Sequence, residues 1–193
     1  MLAGGPSARM GADKWSIEIG GATFADRVIA AASSAFEQVI VVTKRGRGRF
    51  SVPVVCESND DVVAPIIGLD CALDHAAGEP CWVLGVDYPL ITAEALAYLR
   101  GRFEASGADI VVPEIGSKLH MLCAGYRAST AATVKARILA GRYALKGLVD
   151  AHQALIVSES EVVAHCGRAA LSNVNTPDEL DEARKLDAET NAR

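Results

Sequence analysis

The fold of this chain is constrained first by a glycine-rich run near its start, which reads Gly4-Gly5-Pro-Ser-Ala-Arg9-Met-Gly-Ala-Asp-Lys14. Glycines adopt positive φ and let backbone N–H groups approach a ligand closely, which a side chain would prevent. Successive N–H groups in such a loop form an anion-binding concavity, and Arg9 and Lys14 add positive charges beside it. The run matches neither the Walker A loop nor the G-x-G-x-x-G of dinucleotide-binding folds. It predicts a loop that wraps a nucleoside triphosphate.

Strand and helix patterns alternate along the rest of the chain. Continuous apolar or β-branched runs predict buried strands at 38–43, 51–56, 81–86, 108–113, 119–126 and 154–157. Apolar residues at helical spacing predict helices at 24–36, 65–75, 93–105, 129–140, 144–151 and 177–186. Thr23, Thr92 and Thr176 are the expected N-caps. This alternation predicts an α/β fold with three layers and a doubly wound, mostly parallel, Rossmann-like sheet, whose ligands bind at the carboxyl ends of the strands.

Composition narrows the class of protein. The length of 193 residues suits one domain, and half of the residues are apolar, as in an ordinary globular protein. A formal charge of −5 argues against a nucleic-acid partner. No apolar run reaches the roughly 20 residues of a membrane span, and no signal peptide precedes the loop, so we expect a cytoplasmic protein with no membrane partner. Five widely spaced cysteines without a C-x-x-C pair predict neither disulfides nor a zinc site.

The beginning of the chain is short for this fold. Only Met1 and Leu2 precede Ala3, whereas the loop should follow a buried strand. We therefore expect a single domain over residues 1–193 that lacks most of its first strand, with exposed edges on the neighbouring strands. The expected explanation is a start that lies downstream of the native one or that has been trimmed.

Asp87 comes directly after the predicted strand 81–86, in Val86-Asp87-Tyr88-Pro89. A carboxylate at a strand end beside a triphosphate loop is well placed to hold Mg²⁺, which takes one or two carboxylates together with phosphate oxygens. The alternative is an aspartate that caps the turn before Pro89. The position at the same edge of the sheet as the glycine-rich loop favours the metal site.

Three runs together resemble the nucleotidyltransferases, and most closely the molybdenum cofactor guanylyltransferase family. They are L-A-G-G-x-S-x-R-M-G-x-x-K at the start, Asp87-x-Pro89, and Asn173-x-Asn175-Thr-Pro177. The similarity extends from Leu2 to about Lys185. It implies a fold of the nucleotide-diphospho-sugar transferase type and Mg²⁺-dependent transfer of GMP from GTP to molybdopterin phosphate. GTP and molybdopterin would be the substrates, and molybdoenzymes or their chaperones would be further partners.

The resemblance also assigns roles to single residues. It implies catalytic roles for Arg9, Lys14 and Asp87, a metal site at Asp87, and acceptor binding by Asn173 and Asn175. The residues that it places at GTP are Leu2, Ala3, Gly4, Gly5, Lys14, Glu57, Pro65, Gly68 and Asp87. The sequence departs from the family at Ala64, where glycine is usual, and at Met121, where proline usually follows a histidine such as His120.

Alternative interpretations stay open at this point. The two asparagines could simply cap the helix at 177–186. The same chemistry could use CTP or another phosphate acceptor, such as an alcohol phosphate. A protein of another class, a nucleotide-binding regulator without turnover, would also retain the pocket.

Overall fold

The computed structural model describes residues 1–4, 13–44, 48–57 and 61–191. Its strands are β1 (Glu18–Ile19), β2 (Ala22–Thr23), β3 (Val41–Thr43), β4 (Val54–Cys56), β5 (Cys81–Leu84), β6 (Ile110–Ile115), β7 (Lys118–Leu119), β8 (Cys123–Tyr126) and β9 (Ala154–Val157). Its α-helices are α1 (Phe24–Ala35), α2 (Pro65–Ala76), α3 (Ala93–Ala105), α4 (Ala131–Leu139), α5 (Lys146–Val149), α6 (Glu159–Cys166) and α7 (Pro177–Asn191).

The central strands run in one direction except at β8. β3 pairs in parallel with β4, and β6 pairs in parallel with β9. β8 lies antiparallel between β5 and β6, while β7 forms an antiparallel hairpin with β6. Because β8 opposes both neighbours, β5 and β6 point the same way. The α/β class and the mostly parallel sheet are confirmed, with one reversed strand inside it.

The first residues occupy the centre of the sheet, between β3 and β5. Leu2 makes parallel bridges with Val42 on one side and Gly85 on the other. Its amide donates to the carbonyl of Leu84 at 2.8 Å, and its carbonyl accepts from the amide of Val86 at 3.1 Å. The neighbouring edges are therefore paired at Leu2, so the expectation of exposed edges is wrong there. A cavity of about 250 Å³ lies beside Met1 and Leu2. It is lined by residues of β5 and of the segment that leads into β3.

Two apolar layers cover the two faces of the sheet. Neighbouring residues of one strand pack on opposite faces of the sheet. Leu84 packs with α1 and α3, whereas Val83 packs with α2. On the first face the helices meet through residues such as Val28 and Leu99, and on the second through residues such as Leu69. The three-layer arrangement follows from these alternating burial patterns.

Helix starts agree with the sequence better than strand boundaries do. The hydroxyls of Thr23 and Thr92 accept from the amides three residues on, and Thr176 does the same at the start of α7. The predicted strand 119–126 is wrong as a single element, because the chain turns at His120 and separates β7 from β8. Helix α6 was not predicted, although Ser158 caps it through the amide of Glu161.

Candidate active site

A cavity of about 340 Å³ opens where the parallel strands end. Three segments of the sheet deliver residues to it: Ala3 and Gly4 after the first bridge, Glu57 after β4 and Asp87 after β5. The predicted nucleotide-site residues that line it are Leu2, Ala3, Gly4, Lys14, Glu57, Pro65 and Asp87. Gly5 and Arg9 lie outside the described residues. Gly68, also predicted at the nucleotide, is not among the lining residues. The other described residues meet at this edge of the sheet, and their roles at a nucleotide stay predictions.

Asp87 is partly buried at the end of β5 and is held by a neighbouring amide. Asn173 Nδ2 donates to Asp87 Oδ2 at 3.0 Å, and the backbone amide of Val174 donates to the carbonyl of Asp87 at 2.9 Å. Burial raises the pKa of the Asp87 carboxyl, while the Lys14 ammonium and the Asn173 hydrogen bond act in the opposite direction. The carboxylate therefore sits in a site that penalises its charge unless cations lie beside it.

Lys14 meets the second asparagine of the motif. Its Nζ donates to Asn175 Oδ1 at 2.5 Å, across 161 residues of sequence. Lys14 begins a short 3₁₀ turn, Lys14–Ser16, and lines the cavity together with Trp15. The lysine predicted at the phosphates and the segment predicted at the acceptor are thus in direct contact.

The asparagine segment is fixed from both ends. Val174 is fully buried between the two asparagines. Glu179 Oε2 accepts from the backbone amides of Asn175 and Thr176 at 2.6 and 3.0 Å, while the Thr176 hydroxyl accepts from the Glu179 amide at 3.3 Å. This reciprocal capping box ties the segment to the start of α7. The predicted N-cap at Thr176 is therefore confirmed, whereas the side chains of Asn173 and Asn175 contact Asp87 and Lys14.

Glu57 lies against the two predicted glycines. A Cβ on Gly4 would lie 2.7 Å from Glu57 Oε1, and one on Gly68 would lie 3.3 Å from the same atom. Both glycines therefore make room for this carboxylate beside Leu2. Ala64, where the family has glycine, has φ of −150°, an extended conformation that alanine adopts without strain.

His120 is a buried partner of the residue that follows Asp87. It is 5% exposed, and its Nδ1 lies 3.0 Å from the hydroxyl of Tyr88. Burial, and then the nearby Lys118 ammonium, lower the pKa of His120 to about 4. The ring is neutral at neutral pH, and its hydrogen bond with the Tyr88 hydroxyl supports the turn after β5. Met121 contributes its backbone carbonyl, which accepts from the Tyr126 hydroxyl at 2.7 Å.

Several residues of the site were missed or left aside by sequence reasoning. Lys44, Trp15, Val63 and Leu122 line the cavity. Lys44 begins the basic loop Lys44-Arg-Gly-Arg-Gly-Arg49, whose sequence does not by itself indicate a place in the site. The signal for Trp15 was its position directly after Lys14, whereas Val63 and Leu122 carry no motif. Arg45 and Arg47 of the same basic loop lie outside the described residues.

The donor set at Asp87 suits magnesium. In the described part of the chain, no group of three or more His, Cys, Asp or Glu side chains gathers to hold a metal ion by itself. Mg²⁺ does not require such a group, because it takes one or two carboxylates together with substrate phosphates and water. A single aspartate on the cavity wall, with the Lys14 ammonium nearby, fits that mode. Among the described helices, none is long and apolar enough to cross a membrane.

Comparison with known sequences identifies relatives along most of the chain. A family model described as a MobA-like NTP transferase domain matches residues 1–156. A protein of Aquifex aeolicus named "Probable molybdenum cofactor guanylyltransferase" is 34% identical over 93% of this chain and 86% of its own length. A protein of the same name from Pelotomaculum thermopropionicum is 31% identical over 96% and 91%.

Solved structures share the fold. Molybdopterin-guanine dinucleotide biosynthesis protein A from Archaeoglobus fulgidus superposes with a TM-score of 0.84 at 22% identity, covering 97% of both chains. The 2-C-methyl-D-erythritol 4-phosphate cytidylyltransferase of Thermus thermophilus superposes with a TM-score of 0.71 at 16% identity, covering 96% of both chains. At these identities the structural likeness shows the fold alone.

Proposed function

The chain belongs to the MobA-like NTP transferase family, and from that premise we propose that it transfers GMP from GTP to the phosphate of molybdopterin. The products are the guanine dinucleotide form of the cofactor and pyrophosphate. The observation that carries the proposal is the contact between Lys14, on the nucleotide side, and Asn175, on the acceptor side. A transferase must bring two anionic substrates together at one place, and these two segments meet beside Asp87.

GTP would occupy the 340 Å³ cavity with its triphosphate at the glycine-rich loop. The backbone at Gly4 and the ammonium of Lys14 bind phosphate oxygens, while Pro65 borders the cavity towards the base and ribose. Asp87 would hold Mg²⁺, which would neutralise charge on the phosphates when bound. An acceptor phosphate oxygen forms a bond to the α-phosphorus, and the bond to the bridging oxygen breaks with its electron pair leaving on pyrophosphate. Lys14 stabilises the charge that develops.

The reaction belongs in the cytoplasm under this proposal. All five cysteines are free, including the buried Cys123 and the exposed Cys56, as suits a reducing compartment. Molybdoenzymes or their chaperones, as consumers of the product, follow from the same proposal.

The test is pyrophosphate release with purified molybdopterin and Mg²⁺, with GTP, CTP and ATP compared at equal concentration. We expect turnover with GTP, preferred at least about tenfold over the other two nucleotides, which corresponds to roughly 1.4 kcal/mol. Asp87→Asn keeps the shape of the side chain but removes its charge, and we expect it to reduce turnover to near background with an unchanged melting temperature. A preference for CTP, or nucleotide binding without pyrophosphate release, would contradict the proposal.

A further inference from the structure

The β6–β7 hairpin carries a lysine to the acceptor side of the site. Its two turn residues, Gly116 and Ser117, have φ of 55° and 60°, as in the tight hairpin turns that match strand twist. The amide of Gly116 donates to Glu159 Oε2 at 2.9 Å, which fixes the tip of the hairpin to the start of α6. Lys118 follows the turn directly and is exposed. The hairpin therefore presents Lys118 from an anchored position.

Asn173 links this lysine to the carboxylate of the site. Lys118 Nζ donates to Asn173 Oδ1 at 3.2 Å, and the other end of the same amide donates to Asp87 Oδ2 at 3.0 Å. A flip of the amide would face its N–H₂ to the ammonium and its oxygen to the carboxylate, so both contacts fix one orientation. Asn173 is thus a positioning residue for Lys118 as well as for Asp87.

Two lysine–asparagine pairs flank Asp87. Lys14 contacts Asn175, and Lys118 contacts Asn173, each through an amide oxygen. Both ammonium groups therefore contact the asparagine segment that holds Asp87. They differ in place, because Lys14 lines the 340 Å³ cavity whereas Lys118 is not among its lining residues. One cation therefore faces the nucleotide cavity and the other lies outside it, beyond the asparagine segment.

We propose that Lys118 binds the phosphate monoester of the acceptor and that Asn173 holds its ammonium in place for this contact. The inference rests on the proposed function and adds the residue that receives the second anion. An incoming phosphate dianion is repelled by the triphosphate, so a positive charge on its own side lowers the cost of bringing the two together. Lysine is a common phosphate ligand because its compact ammonium group can bind a phosphate oxygen from many directions.

The experiment compares Lys118→Met with Lys185→Met, which removes the same charge from an exposed position on α7. Pyrophosphate release is measured at saturating GTP with molybdopterin varied, and GTP affinity is measured by calorimetry without acceptor. For Lys118→Met we expect the acceptor KM to rise at least about tenfold, the loss typical of one charge-assisted hydrogen bond. The Kd for GTP should stay within about twofold of wild type. In Lys118→Arg the acceptor KM should lie between the values of Lys118→Met and wild type. In Lys185→Met the acceptor KM should equal that of wild type.

The outcomes separate this inference from the proposed function. Wild-type turnover together with an unchanged acceptor KM in Lys118→Met would show that Lys118 is a solvated surface residue. A rise in the Kd for GTP as large as the rise in the acceptor KM would assign Lys118 to the triphosphate. No pyrophosphate release from the wild-type protein would overturn the proposed function and the inference that rests on it.

Discussion

Gly85 lets Asp87 fold back over the end of β5. A Cβ at position 85 would overlap Asp87 Oδ1 and would also lie 3.3 Å from the Cβ of Leu122. The neighbouring backbone cannot retreat easily, because the Gly85 amide donates to the carbonyl of Leu122 at 2.7 Å and the residue bridges Leu2. The glycine thus sets where the carboxylate lies relative to the cavity.

We predict that Gly85→Ala lowers kcat/KM by about 10- to 100-fold, since a displacement of about 1 Å at a reacting centre can have that effect. Gly107→Ala is the matched control, because a Cβ there meets nothing within 4 Å. Activity and melting temperature are measured for both variants. A Gly85→Ala protein that keeps activity within twofold of wild type would show that the carboxylate tolerates the displacement.

At the scale of secondary-structure elements, sequence predicted what local chemistry decides. The N-caps at Thr23 and Thr92 were predictable because a hydroxyl and an amide three residues apart meet whatever the tertiary fold. The same signal was present for α6 in Ser158 and Glu161, but its apolar face is narrow, with Val162 as the buried residue. The direction of β8 was not predictable, because antiparallel pairing between β5 and β6 depends on the path of the chain through the turn at His120.

The candidate site was also predictable from the sequence only in part. Residues next to a strand end or inside a dense motif, such as Asp87 and Lys14, could be placed at the edge of the sheet from sequence. The pairings Lys14–Asn175 and Lys118–Asn173 join residues that are 161 and 55 positions apart. Nothing in the local sequence specifies such pairs, because they depend on where α7 and the hairpin pack against the sheet.

Helix α1 ties three site-bearing segments together through one guanidinium. Arg27 Nε donates to the carbonyl of Pro89 at 2.8 Å, Nη1 to the carbonyl of Ile19 at 3.2 Å, and Nη2 to Asp187 Oδ1 at 2.5 Å. Pro89 follows Asp87, Ile19 lies on the hairpin after Lys14, and Asp187 lies on α7. The ion pair is largely buried, since the side chain of Asp187 is 9% exposed.

We predict that Arg27→Met lowers the free energy of unfolding by about 3–5 kcal/mol, because it leaves the Asp187 carboxylate buried without its partner. The double variant Arg27→Met/Asp187→Leu removes that unpaired charge and should recover much of the loss. Urea denaturation of the single and double variants measures both effects. Equal destabilisation of the two proteins would mean that the carbonyls of Pro89 and Ile19, rather than the ion pair, account for the contribution of Arg27.

For the whole molecule, the buried His120 couples stability to pH. Its ring lies against the turn after β5, with the Tyr88 hydroxyl as its hydrogen-bond partner and Lys118 as the nearby charge. Burial lowers the pKa of His120 from 6.5 to about 4. Between these two values the unfolded chain binds a proton that the native histidine does not. The free energy of unfolding must therefore fall as the pH falls from about 6.5 towards 4.

We predict that this single group contributes up to about 3 kcal/mol of that loss, at about 1.4 kcal/mol per pKa unit. Carboxylates titrate in the same range, so the measurement is the difference in unfolding free energy between wild type and His120→Gln, followed by urea denaturation from pH 7.5 to 4. His120→Gln can still hydrogen-bond to Tyr88 but binds no proton, so its stability should fall less steeply with acid. His75→Gln, at an exposed position, controls for loss of an ordinary histidine. If both variants follow the wild-type slope, native His120 binds its proton as readily as it does in the unfolded chain, and the burial argument fails.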